Sequence, residues 1–226
     1  VAILLHIETS GTNCSVSISK KDQVLDLIEK NEGMSHAENL HPFIKSVLDS
    51  TSLKPEELNA VCISAGPGSY TGLRIGLSAA KGFCFALNIP LIALNTLQVM
   101  AAKVNSRVND NNAFLCSMLD ARRMEVYTAL YNASLEEISK TEAKIMDETS
   151  YLDFEMEKTI LFFGSGMPKC KEILSKLPHA QYIEDIYPSA ENMAFLAYQK
   201  FINSQWEDLS KFEPLYLKEF FTSSTK

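Results

Sequence analysis

The sequence predicts an α/β protein built as two halves on one plan, and three observations predict it. An apolar run ending in an acid, a polar turn and an alternating strand occupy residues 2–19 and recur over residues 114–131. A buried-type strand entering a glycine turn and a helix occupies residues 60–87 and recurs over residues 159–177. The chain has 226 residues, 46% hydrophobic and 22% charged, a globular balance with enough length for a core without disulfide or metal staples.

The elements follow in order. Residues 2–8 form an apolar strand ending in Glu8. Thr9-Ser10-Gly11-Thr12-Asn13 is a turn, and residues 14–19 alternate Val16 and Ile18 with serines, the mark of a half-buried strand. Residues 23–29 give a third strand with Val24, Leu27 and Ile28 inward, and the short links imply an antiparallel meander. Ser35 with Glu38 three residues on is a capping box. Behind it Leu40, Phe43, Ile44, Val47 and Leu48 repeat at helical spacing. Residues 54–58 make a short helical turn. AVCIS at 60–64 is apolar on both faces and therefore a central strand. It enters Gly66-Pro67-Gly68-Ser69-Tyr70-Thr71-Gly72 and a helix to about Leu87. Residues 90–94 form another buried strand, and Asn95 or Thr96 caps a helix carrying Leu97, Met100, Ala101 and Val104. The polar run RVNDNN at 107–112 divides the chain into subdomains 1–106 and 107–226. Beyond it, residues 114–119 run into Asp120, Ala121-Arg122-Arg123-Met124 is a turn, and residues 125–131 return. Residues 159–163 enter Gly164-Ser165-Gly166 and a helix over 169–177, and residues 188–201 form an amphipathic helix.

Charge and cysteine content narrow the function. With 21 Lys and Arg against 28 Asp and Glu, the net charge is −7, which argues against autonomous nucleic-acid binding but not against a subunit whose partner holds the nucleic acid. No apolar run approaches the ~20 residues that cross a bilayer, and the opening strand lacks the flanks of a secretory signal. The five cysteines are scattered and form no CxxC, so reduced, buried thiols in a cytoplasmic protein are expected.

The glycine segment reads in two ways. Free N–H groups at the start of the following helix suit an anion, so Gly66, Gly68, Ser69 and Thr71 are candidates for a phosphate loop; a tight strand-to-helix turn explains the same glycines. A Walker loop fails for want of Gly-Lys-Ser/Thr, and a dinucleotide fingerprint fails at Thr71. In the helix, Gly72, Gly76, Ala80 and Cys84 fall four apart and form a stripe of small residues, while Leu73, Leu77, Phe83 and Leu87 supply a second apolar side. Two apolar sides imply that one is covered by a partner helix. Gly76→Arg or Ala80→Glu is then expected to break association without harming the fold.

Few residues suggest chemistry. His36 and His41 are five apart, about 140° around a helix, and do not converge on one ion. His6 lies in a strand and His179 in a turn. Ser69 lacks a GxSxG elbow. Arg122 and Arg123 are an adjacent pair of arginines, and Asp120 and Glu125 are near enough in sequence to neutralise them.

At residues 66–76 (GPGSYTGLRIG) the sequence resembles the TsaB/YeaZ family, the accessory subunit of bacterial tRNA threonylcarbamoyladenosine synthesis. Ile7-Glu8-Thr9-Ser10 with Cys14-Ser15-Val16 is similar to that family's first hairpin, and His36 with Leu40 to Ile44 to its first helix. Asp120-Ala121-Arg122 with Glu125-Val126-Tyr127 resembles its DAR…EVY segment, and Glu213-Pro214-Leu215-Tyr216-Leu217-Lys218 its EPxYLR ending. The resemblance implies an actin/hexokinase/Hsp70-like fold of two ribonuclease-H-like halves. It implies association with the catalytic paralogue TsaD and the ATPase TsaE, tRNA contact only through that complex, and a homodimer when alone. Its dimerisation surface is the first two helices. Here that places Leu40, Phe43, Ile44, Val47, Gly72, Ile75, Gly76, Ala79, Ala80 and Phe83 at the interface. TsaD-like relatives hold a metal with two histidines on the helix that here begins Asn95-Thr96-Leu97-Gln98-Val99-Met100, so no metal is expected. Glu8 stands where many members have Asp, and in related kinases it and Asp120 would face metal or phosphate; both read better as caps of their turns. No cofactor is expected on the chain alone, ATP or ADP being a matter for the complex.

The sequence therefore reads as a non-catalytic scaffold for threonylcarbamoyl transfer to tRNA. An ATP-dependent phosphotransferase of the same superfamily and a homodimeric regulatory binding module are the rival readings.

Overall fold

A computed structural model of the chain describes residues 1–31, 33, 35–108, 110–152 and 158–218. Two five-stranded mixed sheets carry the fold. The first contains β1 (Ile3–Glu8), β2 (Cys14–Lys20), β3 (Gln23–Lys30), β4 (Ala60–Ser64) and β5 (Leu91–Leu94), in the order β3-β2-β1-β4-β5. The second contains β6 (Phe114–Asp120), β7 (Glu125–Tyr131), β8 (Glu137–Ile145), β9 (Ile160–Phe163) and β10 (Ala180–Ile183), in the order β10-β9-β6-β7-β8. The two orders are the same plan. A central strand pairs antiparallel with the strand that follows it and parallel with a later one, through Leu5↔Ile18 and Leu5↔Val61 in the first sheet and Cys116↔Leu130 and Cys116↔Phe162 in the second. This is the actin/hexokinase/Hsp70-like architecture of two ribonuclease-H-like halves.

Among the described residues, five helices complete five layers: α1 (His36–Ser50), α2 (Tyr70–Leu87), α3 (Thr96–Val108), α4 (Met167–Leu174) and α5 (Ala194–Ile202). Helices α1 and α2 cover the outer face of the first sheet through Leu40, Ile44, Val47, Leu77 and Ala80, packed on Leu5, Ile7, Val16 and Val61. Helix α4 covers the outer face of the second through Met167, Cys170 and Leu174. Between the sheets lie α3 and α5, whose Leu97, Met100, Val104 and Ala197 share one core with Leu4, Ile92, Leu115 and Phe163.

That shared core corrects three expectations. The division at 106/107 falls inside α3, which continues over Arg107 and Val108 and packs on β6 and β7 of the second sheet; Asn109 of the expected linker lies outside the described residues. Helix α5 returns to pack on β1 and β5 of the first sheet, so each sheet is closed by a helix from the other half of the chain. The serines of β2 do not face water. Ser15, Ser17 and Ser19 are fully buried: the helical turn Ala190–Met193 bonds the first two, and Ser19 meets His6 Nε2. Ser17 Oγ donates to Ala190 O at 2.9 Å, and Ala190 N donates to Ser15 Oγ at 3.0 Å. The expected helix over 188–201 is thus a 3-10 turn followed by α5.

Helix starts differ in their chemistry. Ser69 Oγ accepts from Gly72 N at 3.2 Å, and Asn95 Oδ1 accepts from Leu97 N at 2.8 Å, both as N-caps. The capping box at Ser35 does not form: its hydroxyl accepts from Asn39 Nδ2 at 2.6 Å instead.

Candidate functional site

The ends of β1 and β4 and the start of α2 meet at one place, and the chain fills it with itself. Glu8 is fully buried, its Oε1 accepting from Ser10 N at 2.6 Å and Ser10 Oγ at 2.5 Å while Oε2 accepts from Ser64 Oγ. Burial raises its pKa above the usual carboxylate range, against the pull of those donors. Ser69 N donates to Ser10 O at 2.7 Å. A Cβ on Gly68 would meet Ser10 O, and one on Gly72 would meet Thr9 O. Gly66 has φ of +108°, and a Cβ there would stand 2.7 Å from Leu215 O. The glycines thus admit the β1–β2 turn and the C-terminal segment. As a phosphate loop the set Gly66, Gly68, Ser69, Thr71 and Glu8 is corrected: the Ser69 amide serves Ser10, the Ser69 hydroxyl serves Gly72, Glu8 is sealed, and Thr71 lies on the outer surface.

The small-residue stripe of α2 is corrected as well. Gly72, Gly76, Ala80 and Cys84 are buried against the protein's own first sheet, with Gly76 closing on Thr9 and Ile7. Leu73 and Leu77 lie on that same inward side, so the two apolar sides are one broad face. Leu40, Ile44 and Val47 of α1 are likewise inside. Gly76→Arg and Ala80→Glu would therefore test folding and not association.

The outward face of α2 carries a different register. Between α1 and α2 lies a groove of about 870 Å³ lined by Ala37, Leu40, His41, Tyr70, Thr71, Arg74, Ile75, Ser78, Ala79, Gly82, Phe83 and Ala86. Its floor is apolar at the edge of Leu40 and at Ile75, Ala79 and Phe83, four of the ten interface residues expected from the sequence. Phe43 is half-buried and packs on the α1–α2 core. Ser78, Gly82 and Ala86, again four apart, keep the groove open, and a Cβ on Gly82 would meet nothing within 4 Å. Phe85 beside it is 84% exposed. The sequence carried both registers of small residues; only the strand beneath α2 distinguishes them.

In the second half, Asp120 is exposed. It pairs with Lys169 of α4 and accepts from Arg122 N at 2.9 Å, so it caps its turn; the Lys169 hydrogen bond foremost holds its carboxyl below the usual range. The C-terminal segment reaches both halves. Leu215 N donates to Ala65 O at 2.7 Å, Arg74 Nε donates to Tyr216 OH at 3.2 Å, and Lys218 pairs with Glu125. His6 and His36 serve structure. His6 Nε2 meets Ser19 Oγ at 2.8 Å, with its pKa pushed down to about 3 by burial, and His36 Nε2 donates to Gly11 O at 2.9 Å. All five cysteines are free and buried, and burial lifts the Cys14 thiol to about 11. Among the described residues no three His, Cys, Asp or Glu side chains gather as metal ligands, and no helix is long and apolar enough to cross a membrane.

Comparison with known proteins places this geometry. The chain matches the family described as TsaD: tRNA N6-adenosine threonylcarbamoyltransferase over residues 30–219. The tRNA threonylcarbamoyladenosine biosynthesis protein TsaB of Bacillus subtilis (strain 168) is 30% identical over 186 residues, 81% of this chain and 76% of that one. The chain belongs to the TsaB/YeaZ family. TsaB of Escherichia coli (strain K12) is 27% identical over 222 residues, 95% of this chain and 94% of that one. The fold agrees: YeaZ from Pseudomonas aeruginosa superimposes with a TM-score of 0.84 at 24% identity, over 96% of this chain and 100% of that one. A tRNA N6-adenosine threonylcarbamoyltransferase of Phocaeicola vulgatus is 28% identical over 159 residues, but these are only 47% of its length. TsaB of Escherichia coli and the Pseudomonas aeruginosa YeaZ structure are thus matched nearly end to end, and the transferase over less than half of its length.

Proposed function

We propose that this chain is a non-catalytic accessory subunit that supports transfer of a threonylcarbamoyl group to N6 of adenosine 37 in tRNAs reading ANN codons. It docks the α1–α2 groove onto a TsaD-like catalytic paralogue and helps to recruit a TsaE-like ATPase. Alone, it pairs with a second copy through the same face. It works in the cytoplasm and meets tRNA within the complex.

The observation that carries this reading is the open apolar groove. Two helices pack closely where small residues let backbones approach, and Ser78, Gly82 and Ala86 offer that approach beside Ile75 and Phe83. Family membership supplies the process, through relatives named for tRNA threonylcarbamoyladenosine biosynthesis. Scaffolding is favoured over phosphotransfer by the first-half turn, where the carboxylate is sealed and the glycines are closed by the protein's own backbone.

The test is co-purification with a TsaD-like partner. Gly82→Arg and Ala86→Glu are expected to abolish it while leaving the melting temperature near that of the parent, since both positions face open space. Retained complex with both variants sinks the reading.

A further inference from the structure

We propose that the β6–β7 turn is an RNA-backbone contact, with Arg122 and Arg123 as the phosphate-binding pair. The sequence suggested that Asp120 and Glu125 neutralise these arginines. The structure satisfies both acids from elsewhere: Lys169 of α4 pairs with Asp120, and Lys218 of the C-terminal segment pairs with Glu125. Arg122 meets Asp120 through its backbone N–H, and its guanidinium adds only the smallest pull, through space. Both guanidinium groups are exposed, and among the described residues neither has an ion-pair partner. Two lysines cancel two acids, and two arginines remain.

The turn is also held to present them. Arg122 and Arg123 have φ of +71° and +50°, a region that residues other than glycine, asparagine and aspartate enter rarely. Lys169 Nζ donates to Glu125 O at 2.7 Å, Lys218 Nζ to Ala121 O at 3.4 Å, and Glu125 N to Arg122 O at 3.2 Å. A rigid hairpin thus displays two adjacent planar donors, the group that matches phosphate oxygens.

With a net charge of −7, the chain holds RNA weakly by itself, and the pair acts as an increment within an assembled complex.

RNA as the polyanion rests on the accessory-subunit reading; the exposed pair does not. The experiment titrates an ANN-decoding tRNA transcript into the complex with the TsaD-like partner at several salt concentrations, with the parent chain, R122A/R123A and R122K/R123K. Two lost phosphate contacts make the slope of log affinity against log salt shallower by about 1.4–1.8 and weaken binding roughly 25- to 60-fold near 0.1 M salt. The lysine pair is expected to restore the slope, and complex assembly is expected to be unchanged by either pair. An unchanged affinity and slope with R122A/R123A overturns the proposal. So does a loss of tRNA that merely follows a loss of assembly, which would assign the pair to a protein partner. If the parent complex does not form, the accessory-subunit reading falls by itself. The same titration on the chain alone at low salt then decides the pair: arginine-dependent binding upholds it and arginine-independent binding overturns it.

Discussion

The β1–β2 and β6–β7 turns occupy the same place in the two sheets and have opposite chemistry. Each follows a central strand and each strand ends on an acid, Glu8 or Asp120. In the first half the acid is sealed under hydroxyls and a backbone N–H, and the turn is packed by Gly68, Gly72 and the ring of Pro188 on Gly11. In the second half the acid is exposed and met by a lysine, and the turn carries two exposed arginines that have no ion-pair partner among the described residues. The covering helix explains part of the difference. Helix α2 has 18 residues and closes over the first turn, whereas α4 has 8 and leaves the second open. A duplicated plan fixes where a turn stands; the elements around it decide whether it is core or surface.

The largest effect expected from this contrast is at the seal. Gly72→Ala puts a methyl group into the Thr9 carbonyl, and no rotamer relieves a clash with backbone. It should cost about 3 kcal/mol, at the upper end for overpacking. For a chain of this size that lowers the melting temperature by roughly 6–12 °C. A melting temperature within a degree of the parent would show that the first turn is not packed as described.

Next come the two acids. Glu8→Ala leaves Ser10 N–H, Ser10 Oγ–H and Ser64 Oγ–H without their acceptor in a fully buried site. Unmade hydrogen bonds of this kind should together cost about 3 kcal/mol. Asp120→Ala removes an exposed ion pair and a turn cap, and about 1 kcal/mol or less is expected. Chemical denaturation of both variants measures the difference. Equal losses would erase the distinction between the turns.

Much of this was legible in the residues. The repeated pattern of apolar strand, acid and turn located both halves, and β1–β5 with α1–α3 stand near where hydrophobic spacing placed them. What escaped depended on neighbours distant in sequence. Ser15 and Ser17 of β2 look solvated until a segment some 170 positions later lies on them, and Ser15 to Ala190 spans 175 residues. The strand β8, EISKTEAKI, is a sheet edge with exposed Ile138 and Ile145 and carries lysines that discourage further pairing, so its alternation is weak. The groove was missed by register. Gly72-Gly76-Ala80 and Ser78-Gly82-Ala86 are equally good stripes on paper, and only the sheet beneath chooses between them.

The finest contrast is in pH. The folded pKa of Glu8 is raised above its ordinary 4.5, chiefly by burial. Between 4.5 and that raised value the folded chain holds more protons than the unfolded one, so the Glu8 contribution is complete below 4.5 and is lost as pH rises through the folded pKa. The folded pKa of Asp120 is lowered from 3.8, first by Lys169, so its contribution is present above 3.8 and is lost as pH falls through the folded value. Melting temperatures of the parent, Glu8→Gln and Asp120→Asn against pH separate the two. The Glu8→Gln value, relative to the parent, should climb as pH rises from 4.5, because the amide carries no charge to be stripped of water. The Asp120→Asn deficit should shrink toward zero on acidification below 3.8 and fade in high salt, as an exposed pair must. His6, whose pKa of about 3 makes every variant acid-sensitive, is common to all three proteins and cancels in the differences. A Glu8→Gln difference that stays level with pH would mean that Glu8 titrates in the fold as it does in the unfolded chain, and that the first turn is as open to water as the second.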